Sequence, residues 1–291
     1  MRVKKHVPYL FVLPAFLLVV CVLYYPVIQN VYTSMLRTSA FSSNPAFIWL
    51  SNYKEMFKDV EVRTALRNNI RYAVTCIIFQ CGGGLFLAIL MESKYVRKFS
   101  GFFRTAYYIP SVISMTAACL LWKFIYQSRG GMINAILDFL QLASLKHAWL
   151  GEASTAIWAI IAMAQWQFMG YYCMLLCVAI QKVPDELYEA AEIDGANEFQ
   201  KAIRVTIPSL KEMIVVVTLI DIIGCLKVFT EVYTMTLGGP GYSSHVMGTL
   251  LYQNAFIYNR MGYASAMGTV MFILMMVISI LQLRVTGSGD Q

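Results

Sequence analysis

The sequence predicts an all-α membrane protein with six transmembrane helices. Three observations carry that prediction. Hydrophobic residues fill 58% of the 291 positions and charged residues only 13%, whereas a soluble domain carries about a quarter charged. Six stretches are nearly free of charge, each near the roughly 20 residues a helix needs to cross the hydrocarbon core. The stretches are continuous apolar runs, and in lipid a run of that length satisfies its own backbone only as a helix. The whole of 1–291 is expected to form a single membrane domain.

In chain order, the first span covers 7–36 and carries no charge. Its apolar run is too long for a signal-peptide core and no small-residue cleavage site closes it, so it reads as a retained helix. The segment "YKEMFKDVEVRTALRNNIRY" has amphipathic spacing and leads as one helix into the second span, 72–91, where Gly82, Gly83 and Gly84 allow close packing. The third span is 105–127, with Lys123 near its end. In "GGMINAILDFLQLASLKHAWL", Ile133, Ile136, Leu137 and Leu140 fall at helical spacing, as in a helix lying along a membrane surface. The fourth span is 153–181, the fifth 213–237 and the sixth 261–283. The fifth holds Asp221, Lys227 and Glu231. Lys227 and Glu231 are i, i+4, as in a structural ion pair near the membrane face.

Lysine and arginine set the expected orientation. With the N-terminus inside, the inner segments 1–6, 92–104, 182–212 and the tail carry twelve basic residues and the longer outer segments nine. Lys94, Arg97, Lys98 and Arg104 crowd one short loop. Both termini and 182–212 are therefore expected on the cytoplasmic side. The net charge of +7 includes no basic cluster with interleaved aromatics, so nucleic acid is not an expected partner; the lipid bilayer is.

Catalytic chemistry finds no foothold. His6, His147 and His245 have no ligand spacing, and no nucleophile lies beside a base. The seven cysteines, Cys21, Cys76, Cys81, Cys119, Cys173, Cys177 and Cys225, all sit in apolar runs and read as packing residues, not as a disulfide framework or a zinc site. No metal is expected. The phosphate-cradling G-x-x-x-x-G-K-[ST] loop is absent, so the chain is expected to bind no ATP and to hold no cofactor.

The polar stretch at 182–212 is the anomaly. Pro184 suits the first turn of a helix, and Asp185 and Glu186 suit its positive end. Leu187, Ala190, Ala191 and Asp194 then share one face, and Gly195 ends the helix. A second short helix follows, with Pro208 restarting the chain toward the fifth span. A small-residue face on an exposed helix points to docking; a solvated loop is the plainer alternative. Within the spans, Asp221 shares a face with Thr218, Cys225 and Val228, and an intramembrane carboxylate is a functional candidate by default. Its alternatives are a hydroxyl-rich ligand or a bond to a neighbouring helix. Gln167 and Tyr171 lie one turn apart in the fourth span, an amide and an aromatic face of the kind sugar sites use.

Glu189-Ala190-Ala191, followed at fixed spacing by Gly195, Val205 and Ile207-Pro208, resembles the EAA motif of ABC importer permeases. Val205 and Ile207 stand where that pattern usually has isoleucine and leucine. "TLGGP" at 236–240, "YQNAF" and "GYASAMG" resemble the carbohydrate-uptake branch. The resemblance covers nearly the whole chain. It implies the type I ABC importer permease fold, in a bacterial or archaeal cytoplasmic membrane. It also implies half of a translocation pathway for a sugar or oligosaccharide, with ATPase coupling through Glu189, Ala190, Ala191, Asp194, Gly195 and Pro208. The implied partners are a second homologous permease, two ATPase subunits that hold ATP and Mg, and an extracytoplasmic solute-binding protein. Aligned with the larger permease of the maltose-type importers, Gln167, Phe168, Tyr171, Asp221, Cys225 and Val228 fall on substrate-pathway positions, and of these only Tyr171 is similar in kind. The alternatives are a glycerol-phosphate or polyol-phosphate permease, for which only Lys123 and Lys227 offer membrane-embedded cations, and a membrane enzyme or scaffold.

Overall fold

The structure is a computed structural model that describes residues 7–39, 41–42, 44–94 and 96–287. The terminal residues used to orient the sequence, 1–6 and 288–291, lie outside the described residues. Among the described residues, four helices are long and apolar enough to cross a membrane: α1 (Phe11–Ser34), α3 (Val60–Glu92), α7 (Ala156–Ile180) and α13, whose apolar part is Met261–Gln282. Two bent pairs raise the number to six when each is counted as one span: α4 (Arg97–Val112) with α5 (Met115–Ile125), and α10 (Lys211–Leu226) with α11 (Thr230–Thr236). The shorter helices are α2 (Ser51–Lys58), α6 (Met132–Phe139), α8 (Asp185–Ile193), α9 (Glu198–Lys201) and α12 (Met247–Tyr252).

The chain divides into two compact units, and the first comprises 1–62 and 250–274. Here α1 runs through a π-helical turn, Val20–Tyr24, just before Tyr25-Pro26. Proline has no N–H to give the preceding turn, and the wider turn absorbs the loss. A two-stranded ribbon follows, β1 (Leu36–Arg37) antiparallel to β2 (Ala46–Phe47). Asn52 of α2 donates to the carbonyls of Ser34 and Leu36 at 2.8 and 3.0 Å, tying α2 to the end of α1. The amphipathic segment is two helices, not the continuous one expected: Asp59 turns extended. Its carboxylate then accepts the Glu61 N–H at 2.8 Å, which is N-cap geometry for α3, and the Tyr263 hydroxyl at 2.8 Å.

The second unit comprises 63–249 and 275–291. Its centre is α7, whose buried residues include Ile160, Met163, Ala164, Leu176 and Cys177. The second half of α3 and the α4 segment Ser100–Val112 pack on it. Two core clusters result, one around Tyr72, Ile160, Val232 and Val246 and one around Ala88, Met91, Leu176 and Val217. Gly170 makes the α4–α7 approach possible: a Cβ there would run into the carbonyl oxygen of Tyr107.

The third and fifth spans are broken where the sequence suggested continuous helices. Between α4 and α5 the axis turns by 95°, with Ile113 extended three residues after Pro110. The carbonyl of Ile113, freed by the break, accepts the Gln167 side-chain amide at 3.0 Å. Between α10 and α11 the bend is 40°. There the Cys225 carbonyl accepts the Asn69 amide at 2.8 Å, while the oxygen of Asn69 accepts the Met247 N–H at 2.8 Å. Asn68 donates to the carbonyls of Ser243 and His245 at 2.7 and 2.9 Å. Two adjacent, wholly buried asparagines of α3 thus satisfy open backbone both at the break and in the loop that leads from α11 into α12. The break also removes the expected i, i+4 pair. Lys227 is exposed, Glu231 is buried and accepts the Tyr72 hydroxyl at 3.4 Å, and no salt bridge joins the two among the described residues.

Candidate functional site

The segment 182–212, the candidate for coupling, contains a pair of short helices. Helix α8 begins after Pro184, with Asp185 and Glu186 in its first turn, where acidic groups meet the positive end of the helix. It ends in a Schellman turn: the Ala196 N–H reaches the Ala191 carbonyl at 2.9 Å and the Gly195 N–H reaches that of Glu192 at 3.0 Å. Gly195 sits at φ +78°, with open space around its missing Cβ. Asn197 and Gln200 form a capping box that starts α9, both bonds at 2.9 Å. A π-helical turn, Ala202–Thr206, then precedes Ile207-Pro208, the device also used before Pro26.

Lys201 holds the two helices together. Its ammonium donates to Glu192 at 2.6 Å and pairs with Glu198 at 2.7 Å, with only 10% of its side chain exposed. The Lys201 pKa is raised by Glu192 first and Glu198 second, and that of Glu192 is lowered by Lys201. Glu198 also meets Lys94 at 3.4 Å, and Tyr188 and Thr206 share a 3.1 Å hydrogen bond. A cleft of about 1150 Å³ opens between this clamp and the end of α3, lined by Phe86, Leu90, Arg97, Tyr188 and Ile203 among others.

The clamp leaves the motif face free. Glu189, Ala190, Asp194, Gly195 and Pro208 are exposed and Ala191 is half-buried. Beside them Ile193 and Phe199 stand 87% and 73% exposed. Two large apolar side chains held in the open on a capped, ion-paired scaffold have the form of docking anchors. Sequence reasoning found the small-residue face but missed Ile193 and Phe199, although an isolated isoleucine and phenylalanine in a polar stretch were the available signal. It also missed Lys201, because the nine residues from Glu192 to Lys201 fall on no helical period.

The six candidate pathway positions divide in two. Phe168 and Tyr171 lie one turn apart on α7 and are half-buried. Gln167, Asp221, Cys225 and Val228 are buried in the second unit. Gln167 holds the α4–α5 break, as described. Asp221 accepts the Cys81 thiol at 3.3 Å and the Cys225 thiol at 3.6 Å, so its carboxylate faces α3 in this conformation.

Residues 80–286 match the family described as the binding-protein-dependent transport system inner membrane component. The chain belongs to this family. It is 45% identical to the probable ABC transporter permease protein YurN of Bacillus subtilis (strain 168), over 99% of this chain and 98% of that protein. It is 34% identical to the arabinooligosaccharides transport system permease protein AraP of Halalkalibacterium halodurans, over 99% and 91%. Among solved structures, a chain of a bacterial ABC transporter involved in the import of the acidic polysaccharide alginate superposes with a TM-score of 0.84 over 97% of this chain and 96% of that one, at 21% identity. That likeness fixes the fold as the type I importer permease fold. The protein is thus a multi-pass membrane component of an ABC import system.

Proposed function

We propose that this permease forms half of the translocation pathway of an ATP-driven importer for a sugar or oligosaccharide. In this reading Glu189–Gly195, with Ile193 and Phe199, docks into a separate ATPase subunit. The observation that carries it is the exposed, doubly capped α8–α9 pair held by Lys201: its construction fixes a surface while leaving that surface open. The carbohydrate assignment is supported by relatives named for arabinooligosaccharide transport and by the alginate importer fold. The second permease, two ATPases carrying ATP and Mg, and the solute-binding protein complete the proposed assembly. The partner set draws support from a structural neighbour described in complex with a pentasaccharide-bound periplasmic protein. In this reading α8–α9 lies on the ATPase side, in the cytoplasm, an orientation supported by the excess of basic residues in the segments around it.

On the pathway side, the reading assigns the half-buried Phe168 and Tyr171 to stacking on the C–H faces of a sugar, although both also pack against the second core cluster. Gln167, Asp221, Cys225 and Val228 are buried in this conformation and would reach the pathway only after the second unit rearranges. The test is uptake by proteoliposomes holding the assembled complex and its binding protein, supplied with labelled neutral oligosaccharides, acidic oligosaccharides and glycerol phosphate. ATP-dependent accumulation of an oligosaccharide is expected. Accumulation of glycerol phosphate alone, or of no carbohydrate at all, would overturn the assignment.

A further inference from the structure

The interior of the second unit contains a set of donors that packing alone does not require. The Sγ atoms of Cys76 and Cys225 and a carboxylate oxygen of Asp221 all lie within 4.8 Å of one another, and all three residues are buried. Two helices deliver them. Asp221 and Cys225 are i, i+4 on α10, so they share a face. On α3, Cys76 is followed by a π-helical segment, Ile77–Gly83, in the middle of an otherwise regular helix. Its i→i+5 ladder brings residues five apart to the same side, where an α-helix would separate them. Cys81, five residues after Cys76, therefore also faces α10, with its thiol on Asp221 Oδ2 at 3.3 Å.

The surroundings of these donors are unusual for a packed core. Asp221 is 2% exposed, and its bonds to Cys81 and Cys225 come from thiols, which are weak donors; the Tyr172 hydroxyl is its other polar neighbour. A buried carboxylate demands stronger compensation than that. Meanwhile the side-chain amides of Gln80 and Gln165 each lie 3.3 Å from Cys76 Sγ while also donating to the carbonyls of Ala164 and Ile161 at 3.3 and 3.1 Å. Amide donors converging on one sulfur suit a thiolate, and such outer hydrogen bonds are the usual support of a ligating group.

We infer that Cys76, Cys225 and Asp221 form a binding site for a single Zn(II) ion that clips α3 to α10. Around one zinc, with Zn–S of about 2.3 Å and Zn–O of about 2.1 Å, donors sit roughly 3.5–3.8 Å apart, a small contraction from the present spacing. Binding forms two Zn–S bonds and one Zn–O bond and releases the two thiol protons to solvent. One dication replaces two protons, so the buried charge does not change. Cys81 keeps its bond to Oδ2 and leaves Oδ1 for the metal, and one zinc position stays open to a small ligand. The carboxylate selects zinc over Cu(I), which prefers all-sulfur sites. Sequence spacing concealed this site, because the ligands come from helices about 145 residues apart and no loop motif marks them.

The test uses the assembled transporter, purified under reducing conditions after loading with Zn(II) or Co(II). Elemental analysis should give one zinc per copy of this permease. The cobalt form should show near-ultraviolet thiolate-to-metal charge transfer and intense visible bands of a low-symmetry site. Both signals should vanish in Cys76→Ser and Cys225→Ser and fall at least tenfold in Asp221→Asn, while Cys119→Ser and Cys173→Ser retain them. Should the ligand variants fail to assemble, the wild-type stoichiometry and the cobalt spectrum still decide. Absence of bound metal from the wild-type complex, a cobalt spectrum without thiolate bands, or full retention of zinc in Cys225→Ser would overturn the inference.

Discussion

Gly195 occupies the left-handed region at φ +78°, which costs an ordinary L-residue about 1–2 kcal/mol. Nothing crowds its Cβ direction, so the penalty of a substitution is conformational and falls on the end of α8 alone. Gly195→Val is expected to leave membrane content unchanged and to slow ATP-driven uptake by roughly 5- to 30-fold, the factor equivalent to that energy. Normal uptake by the variant at equal abundance would separate this turn from coupling. The Lys201–Glu192 contact gives a second residue-scale expectation. Glu192 has a lowered pKa, so its contribution is full above the ordinary carboxylate value and fades as pH falls through the lowered one. Lys201 has a raised pKa, so its contribution is full below the ordinary lysine value and fades as pH rises through the raised one. The α8–α9 geometry should therefore be constant between roughly pH 5 and 10 and loosen outside that window. Spin labels at Glu186 and Arg204 would read this directly. A distance distribution that broadens near neutrality would rule the clamp out.

At the level of elements, glycine marks one contact as decisive. Gly170→Ala would drive a methyl group into the Tyr107 carbonyl, and overpacking of this kind costs about 1–3 kcal/mol. It should lower the Tm of the detergent-solubilised protein, whereas Gly224→Ala, with open space around it, should leave Tm unchanged or slightly raised. Equal Tm values for both variants would contradict the tight α4–α7 approach. Asn69→Ala should also be costly. It removes the partners of the Cys225 carbonyl and the Met247 N–H at once, and each buried orphan costs about 1–3 kcal/mol. Retention of the wild-type Tm would show that the α10–α11 break is held by other contacts. The same elements explain how far the sequence could be read. Long runs with few charges mark the four helices long enough to cross a membrane and the two bent pairs, since lipid tolerates little else, and Gly195 and Pro184 delimit α8 because their backbone preferences are local. The breaks at Ile113 and Lys227–Phe229 were not legible. Each is made stable by a distant side chain, Gln167 or Asn69, that supplies the missing hydrogen bond, and no local propensity records that partner. For the same reason Gln167 read as a ligand-facing amide, while in the fold its N–H holds a backbone carbonyl.

For the whole molecule, the sidedness of the membrane is the property on which coupling depends. The basic residues Lys94, Arg97, Lys98 and Arg104 precede α4 or lie in its first turns, and Lys94 pairs with Glu198 of the α8–α9 segment. Both segments must therefore lie on one side of the bilayer, and in the proposed orientation, which follows the excess of basic residues, that side is the cytoplasm. The segment 128–152, which contains α6, then falls on the opposite side. Reporter cysteines placed at the exposed positions Lys182 and Arg129 separate the two assignments cleanly. Only Cys21 among the native cysteines is exposed, the other six being buried, so Cys21→Ser provides a quiet background. In intact cells an impermeant maleimide should label Arg129→Cys and spare Lys182→Cys until the membrane is opened. Labelling of Lys182→Cys from outside would invert the topology. It would also place Ile193 and Phe199 out of reach of any cytoplasmic ATPase, because a surface built to receive the closure of that enzyme must share its compartment.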